Sequence, residues 1–389
     1  MNIFLVILIL VLGLWLLYKL FNSGGKDDYN RNTSSYNRNA DNYDRGEAKK
    51  INSKKSIFSF LYKKKSNTEK KAKRQSFFVR IFSEPLPFDD GAITWCANFL
   101  IVDKNTLIAI LKDTSDHYSH FNLSKRSGGY RTISAPDATL LNLQKIIYKR
   151  ILLSVNGHPA SMGFRQNISV THNAKAHLGN KQILKVDIVD FFGSIKKHRI
   201  IKVFEKIGYP TNISLVLAEL CTLESKLPQG AATSPALSNI IAYDMDGKLA
   251  SVAQKSNLIY TRYADDLTFS GEDISFELTL AEIDRIIREE KFVIQRKKTS
   301  FLTEKKRKIV TGISVSSGEK LMIPKAKKRE IRKNVHYILT KGLVEHQRFI
   351  GSTDPSYMKR LMGYLNFWLM VEPDNEYVKK SIAALKMEV

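Results

Sequence analysis

Two adjacent acidic residues, Asp265 and Asp266, stand between two runs of strand-forming residues at 258–263 and 267–270. Neighbouring side chains on a regular strand point to opposite faces, so two consecutive carboxylates act together only where the chain turns. The pattern predicts a β-hairpin with Tyr263-Ala264-Asp265-Asp266 at its tip; an Asp-Asp loop chosen for its turn propensity alone is the other account. A hairpin commits this part of the chain to antiparallel pairing. The remaining pattern interleaves strands and helices without strict βα alternation, which predicts an α+β fold over a doubly wound sheet. Helices are expected at 103–111, with Asp103 as N-cap, and at 138–153, 236–249 and 278–290. A hairpin is expected at 127–136 around Gly128-Gly129, a buried-type strand at 182–188, and a mainly helical, basic tail from Pro324 onward.

A second source of acid lies upstream, in Leu184-Lys185-Val186-Asp187-Ile188-Val189-Asp190-Phe191-Phe192. Here a buried strand ends in Asp187, placed to face the hairpin, while Asp190 is a candidate cap for the helical turn at 194–198. Several carboxylates brought together suit Mg²⁺, a hard cation usually held by a few carboxylates and substrate phosphates. Phosphoryl transfer onto a growing strand typically uses two such ions about 3.5–4 Å apart. The charge balance agrees with a polyanionic partner: 62 Lys and Arg against 38 Asp and Glu leave +24 over 389 residues. Such an excess is the footprint of nucleic-acid or acidic-membrane binding, and it says nothing of fold.

The first residues read differently. Residues 2–21 are apolar with a single charge, Lys19, near their end. That length just spans a bilayer, and the cationic residues follow the run instead of preceding it. The expectation is a single membrane-spanning helix at 1–21, with the bulk of the chain in the cytoplasm at the inner membrane. A cleavable signal peptide is the competing account. Residues 22–90 are expected to form a disordered basic linker; its Lys-rich part is a solvated spacer, an anionic-lipid attachment or a non-specific nucleic-acid contact. Cys96 and Cys221 lie far apart with no CxxC spacing, which excludes a disulfide framework and predicts two buried free thiols.

Taken in order, these segments resemble the reverse transcriptase family. The Asp187 stretch looks like its first palm motif, Gln229-Gly230-Ala231-Ala232-Thr233-Ser234-Pro235 like its QGxxxSP motif, and Tyr263-Ala264-Asp265-Asp266 like its YxDD turn. Lys298-Thr299 resembles the lysine motif after the palm helix. Asn173-Ala174-Lys175-Ala176-His177 and Val310-Thr311-Gly312 are similar to the NAxxH and VTG elements of retron enzymes, and 158–164 has the same look.

The resemblance implies a right-hand polymerase, with fingers and palm at 91–315 and a helical, RNA-binding thumb at 316–389. Asp187, Asp265 and Asp266, with the carbonyl of Ile188, would hold two Mg²⁺ ions. Phe192 would exclude a 2′-hydroxyl, Gln229 and Gly230 would meet the incoming nucleotide, and Arg131 with Lys125 would grip its triphosphate. Lys298 would stabilise the leaving pyrophosphate. Asn173, His177, Val310, Thr311 and Gly312, together with Lys327, Lys328 and Arg332 on the thumb, would contact RNA. The implied reaction uses a structured non-coding RNA as primer and template, consumes dNTPs and yields branched RNA-linked DNA, in anti-phage defence with an effector or an oligomeric partner. Two other readings remain: an intron or diversity-generating reverse transcriptase, and a catalytically silent membrane-bound RNA-binding protein.

Overall fold

A computed structural model describes residues 87–125 and 128–387. The expected membrane span at 1–21, and the linker up to residue 86, lie outside the described residues. Among those described, no single helix is long and apolar enough to cross a membrane.

Aspartates fix where the first helices begin. Asp89, Asp103 and Asp137 accept backbone N–H groups from Ala92 (2.8 Å), Thr106 (2.9 Å) and Leu140 (2.8 Å). Each satisfies a donor that the first helical turn leaves open, so α1 (Asp90–Leu100), α2 (Lys104–Lys112) and α3 (Ala138–Arg150) start there. Between α2 and α3, β1 (Tyr118–Ser124) and β2 (Tyr130–Pro136) pair antiparallel through all seven positions, with Gly128 and Gly129 in the left-handed region at the tip.

Next come α4 (Val170–Ala176), β3 (Gln182–Asp187), α5 (Phe191–Ser194), α6 (Lys197–Ile207) and α7 (Thr211–Leu220). The single helix expected at 236–249 is two, α8 (Ser234–Ile241) and α9 (Tyr243–Lys255), broken at Ala242. The break redirects α9 so that Met245, Asp246 and Leu249 are buried. The expected hairpin follows as β4 (Ile259–Tyr263) and β5 (Asp266–Gly271), then α10 (Phe276–Glu289), β6 (Ser300–Leu302), β7 (Ile309–Val310) and β8 (Ile313–Ser314). Four helices close the chain: α11 (Lys325–Lys341), α12 (Leu343–Phe349), α13 (Tyr357–Val371) and α14 (Glu376–Lys386).

The central sheet has the order β4-β5-β3-β6, every pair antiparallel, as an α+β fold requires. The C-terminal helices bury Trp368, Leu365, Leu361 and Val335 in one core with Ala174, Ile183, Val310 and Ile313, which ties them to α4 and β3. Tyr364 and Phe367 belong to that core, whereas Phe349 is 72% exposed. Cys96 and Cys221 are free and fully buried, and burial pushes both thiols up to about 12.

Behind the hairpin lies a fully buried ion pair. Arg262 donates to both oxygens of Asp246, at 2.8 and 2.6 Å, and also reaches Ser161 (3.1 Å), Asn239 (3.2 Å) and the Ala264 carbonyl (3.1 Å). Tyr260 donates its hydroxyl to Asp246 at 2.7 Å. Removing one partner of such a pair strands the other charge away from water. Asp246→Ala and Arg262→Ala should therefore each lower unfolding stability by about 3–5 kcal/mol, read from urea midpoints. A loss below about 1 kcal/mol, the range of an exposed pair, would contradict this role.

Candidate active site

Register brings the acids together. On the antiparallel β3–β5 pair Asp187 lies opposite Asp266, and directly opposed residues share a face with their Cβ atoms about 4.5–5.5 Å apart. Asp265 occupies the second position of the two-residue turn between Tyr263 and Asp266. The first turn residue, Ala264, has φ +57°, the hand a two-residue hairpin needs and one that a non-glycine residue adopts only at a cost. Ile188 donates its N–H to the Asp265 carbonyl at 3.0 Å, and Gln295 donates to that of Asp187 at 2.7 Å. The three aspartates thus sit on backbone that is held from both sides.

Their charges do not balance among themselves. Burial, then repulsion from Asp266 and Asp187, pushes the Asp265 carboxyl up to about 6. Burial also raises that of Asp266, against the attraction of Lys185, Lys298 and Arg131. Lys298 places its ammonium 2.8 and 3.0 Å from the two oxygens of Asp187. Burial opposes that charge, but the hydrogen bond and the attraction of all three aspartates win, and the ammonium is held more firmly protonated. Among the described residues no group of three His, Cys, Asp or Glu side chains encloses a metal. What is present is a set of three neighbouring carboxylates, two of them raised by burial and mutual repulsion against the pull of Lys298, Lys185 and Arg131. That fits a divalent cation completing its shell with substrate phosphates and water.

The remaining expected contacts divide into two groups. Arg131, on β2, is close enough for its charge to stabilise Asp265 and Asp266. Lys125 is exposed at the hairpin tip, where its backbone closes the turn with Gly129 at 3.0 Å. Gln229 accepts from the Ser134 N–H at 2.9 Å. Gly230 has φ +140°, and a Cβ there would meet the Ser134 carbonyl oxygen at 2.3 Å. Only glycine lets this loop lie so close against β2. Phe192 is half-buried, its ring 5.6 Å from that of Phe191 and 6.1 Å from that of Phe164.

The second group, apart from Arg332, is drawn wholly or partly into the interior. Asn173, His177 and Val310 are at most 1% exposed, which puts them out of reach of RNA. Thr261 donates to Asn173 Oδ1 at 2.6 Å, so it accepts from His177 Nε2 at 2.7 Å, leaving Nδ1 to accept from Ser270 at 2.7 Å. Asn173 also approaches Thr311 at 3.5 Å, and Thr311 donates to the Val170 carbonyl at 3.2 Å. With Gly312 at φ +82° in the tight β7–β8 turn, these residues lace α4 to both strands of the hairpin. Lys327 and Lys328 are likewise drawn inward, with side chains 10% and 14% exposed. Lys327 pairs with Glu330 and lies over the Tyr364 ring at 3.6 Å, and Lys328 pairs with Glu372. Arg332 is exposed, with its guanidinium over Trp368 and Tyr377. Asp190 caps nothing: it precedes α5 at φ +43° without a side-chain capping bond, and the longer helix begins after Lys196.

Other supports of the site lie outside the expected contacts. Lys185 shares the Asp187 face of β3 by its spacing of two, a signal available in the sequence. Gln144 had none. Fully buried, it donates to Tyr118 and the Leu220 carbonyl at 2.9 Å each and accepts from the Ala232 N–H at 3.1 Å, fixing the Gln229-to-Pro235 loop.

Comparison with known proteins agrees with this geometry. The model of the reverse transcriptase (RNA-dependent DNA polymerase) family matches residues 123–337. A retron Ec86 reverse transcriptase of Escherichia coli is 37% identical over 243 residues, covering 61% of this chain and 76% of that one. A retron Mx65 reverse transcriptase of Myxococcus xanthus is 33% identical over 277 residues, covering 66% and 62%. A retron Mx162 reverse transcriptase of the same organism is 29% identical over 257 residues, covering 58% and 53%. The chain thus spans just over half to about three quarters of the length of these relatives. It belongs to the reverse transcriptase family and is an RNA-directed DNA polymerase of retron type.

The buried histidine gives the site a pH signature. Burial, then the charge of Lys185, lowers His177 from 6.5 to about 4. The unfolded chain therefore binds the proton first as pH falls. The stability that the neutral ring provides is whole above about 6.5 and drains away between about 6.5 and about 4. Urea midpoints at pH 7.5 and pH 5 should fall more steeply for the native chain than for His177→Gln; equal slopes would contradict the assignment.

Proposed function

We propose that this polymerase takes a structured non-coding RNA as both primer and template and makes branched, RNA-linked single-stranded DNA, acting in anti-phage defence at the inner membrane. The observation that carries the chemistry is Asp187 opposite Asp266 with Asp265 in the adjoining turn. Held by these three carboxylates and the Ile188 carbonyl, two Mg²⁺ ions would lower the pKa of the attacking hydroxyl and steady the leaving pyrophosphate.

The chain's own groups do the rest. Arg131, whose charge already reaches the aspartates, grips the triphosphate; guanidinium suits phosphate in bidentate contact. Lys125 extends that contact from the hairpin tip. Gln229 and the Gly230 backbone form one wall of the nucleotide site, held in place by Ser134 and Gln144. Phe192 packs beneath the sugar and excludes a 2′-hydroxyl. Lys298, held protonated by Asp187, sets a fixed positive charge beside the leaving pyrophosphate.

The RNA reading is supported by the retron relatives and by α11, where Lys325, Arg329, Arg332 and Lys333 are exposed. A cationic helix face of this kind reads an RNA stem through its backbone and shape. In this reading 91–315 form fingers and palm and 316–389 the thumb. The membrane reading rests on the apolar run at 2–21 and the basic residues after it.

One experiment tests these parts together: co-expression of the full chain with the non-coding RNA encoded beside its gene, followed by fractionation and analysis of nucleic acid. Branched DNA should appear with the enzyme in the membrane fraction. Asp265→Ala should cut the product at least about a hundredfold, since a metal contact supplies several kcal/mol of transition-state stabilisation, while leaving the protein in place. Linear DNA alone would overturn the retron priming, undiminished product in Asp265→Ala the metal site, and enzyme in the soluble fraction the anchor.

A further inference from the structure

The segment before α4 runs beside the catalytic turn without a role in the reaction as derived so far. Residues 160–162 join the edge of β4: Arg262 donates its backbone N–H to the Ala160 carbonyl at 2.8 Å and Met162 donates to that of Arg262 at 2.7 Å. Asn239 donates to the Gly163 carbonyl at 2.8 Å, and Arg165 donates to the carbonyls of Pro159 and Ser161 at 3.2 Å. A Cβ on Gly163 would lie 2.9 Å from the Ala264 nitrogen, so the segment touches the turn itself.

All this holds Phe164, at φ +61°, in a place it would not choose. A bulky residue in the left-handed region is costly and persists where its surroundings over-determine it, commonly at functional sites. Its ring is 43% exposed, 6.1 Å from Phe192 and 6.3 Å from Tyr263 of the catalytic turn. Phe192 thus has two aromatic neighbours, Phe164 at 6.1 Å and Phe191 at 5.6 Å. Phe191 is itself buried between Phe292, at 5.5 Å, and the Arg262 guanidinium, 5.5 Å above its ring.

We propose that Phe164 is a specificity-determining residue, whose ring braces Phe192 and so sets the discrimination between deoxyribonucleotides and ribonucleotides. The inference rests on the reading of Phe192 as the group that meets the sugar. A ring excludes one extra hydroxyl only while it cannot yield; a side chain with free space beside it moves aside and the clash disappears. Phe191 cannot move, being buried. Phe164 is the support that a single substitution removes.

The test is the ratio of kcat/KM for a dNTP to that for the matching rNTP, measured on the full chain with its RNA for the native enzyme, Phe164→Ala, Phe164→Leu and Phe192→Val. Removing the brace should raise ribonucleotide incorporation and lower the ratio about tenfold, the low end of what one group in a packed pocket discriminates. Phe164→Leu, which keeps most of the volume, should recover much of it. A gain in ribonucleotide use cannot come from misfolding. An unchanged ratio in Phe164→Ala, or a loss equal for both sugars, while Phe192→Val relaxes selection, overturns the brace alone. An unchanged ratio in Phe192→Val overturns the gate and the brace with it.

Discussion

The pairing of β3 with β5 is the constraint on which the rest depends. A slip of one residue in that register would turn Asp187 to the opposite face and leave Asp266 without its neighbour. The sheet therefore gathers like charges in a half-buried place, and the rise of the Asp265 carboxyl to about 6 records the resistance. Carboxylates so placed would drift apart on a loose scaffold. Here the backbone of each is pinned by hydrogen bonds from the neighbouring segment, and one of the three is clasped by Lys298.

That rigidity comes from two buried polar networks, one on each side of the hairpin. Arg262 gathers Asp246, Asn239, Ser161 and the Ala264 carbonyl, and so fixes the turn's left-handed residue. His177 and Asn173 fasten Thr261 and Ser270, on the two strands, to α4. Satisfied polar networks in a low-dielectric interior specify one arrangement, and a half-satisfied one is costly. Together they allow strained backbone at Ala264 and Phe164 to persist beside repelling acids. Apolar packing behind the site would fill the volume but would not orient the turn.

Much of this was legible in the residues. Alternation around Asp265-Asp266 gave the hairpin, and Asp187 at the end of an apolar strand gave its partner. Asp103 was recognisable as a cap from its position before an apolar run. What could not be read were contacts between residues distant in sequence. Ser161 and Arg262 are 101 positions apart, and Gln144 and the Leu220 carbonyl 76. Asn173 and His177 resemble RNA contacts for the same reason: polar type is visible in the residues, burial is not. Lys328 looks solvent-exposed until Glu372, 44 residues on, is placed beside it. Ala242 carries no breaker chemistry, so the bend that buries Asp246 left no trace.

The central claim is that Asp187, Asp265 and Asp266 form one divalent-cation site. Mn²⁺, a paramagnetic substitute for Mg²⁺, measures it without requiring turnover. Electron paramagnetic resonance of the full chain, bound to its RNA and a non-hydrolysable dNTP analogue, should show two bound Mn²⁺ ions with the strong coupling of a pair about 3.5–4 Å apart. Asp187→Asn or Asp265→Asn should abolish the coupled signal. Binding that is absent in the native complex, or that survives both substitutions, would contradict the account.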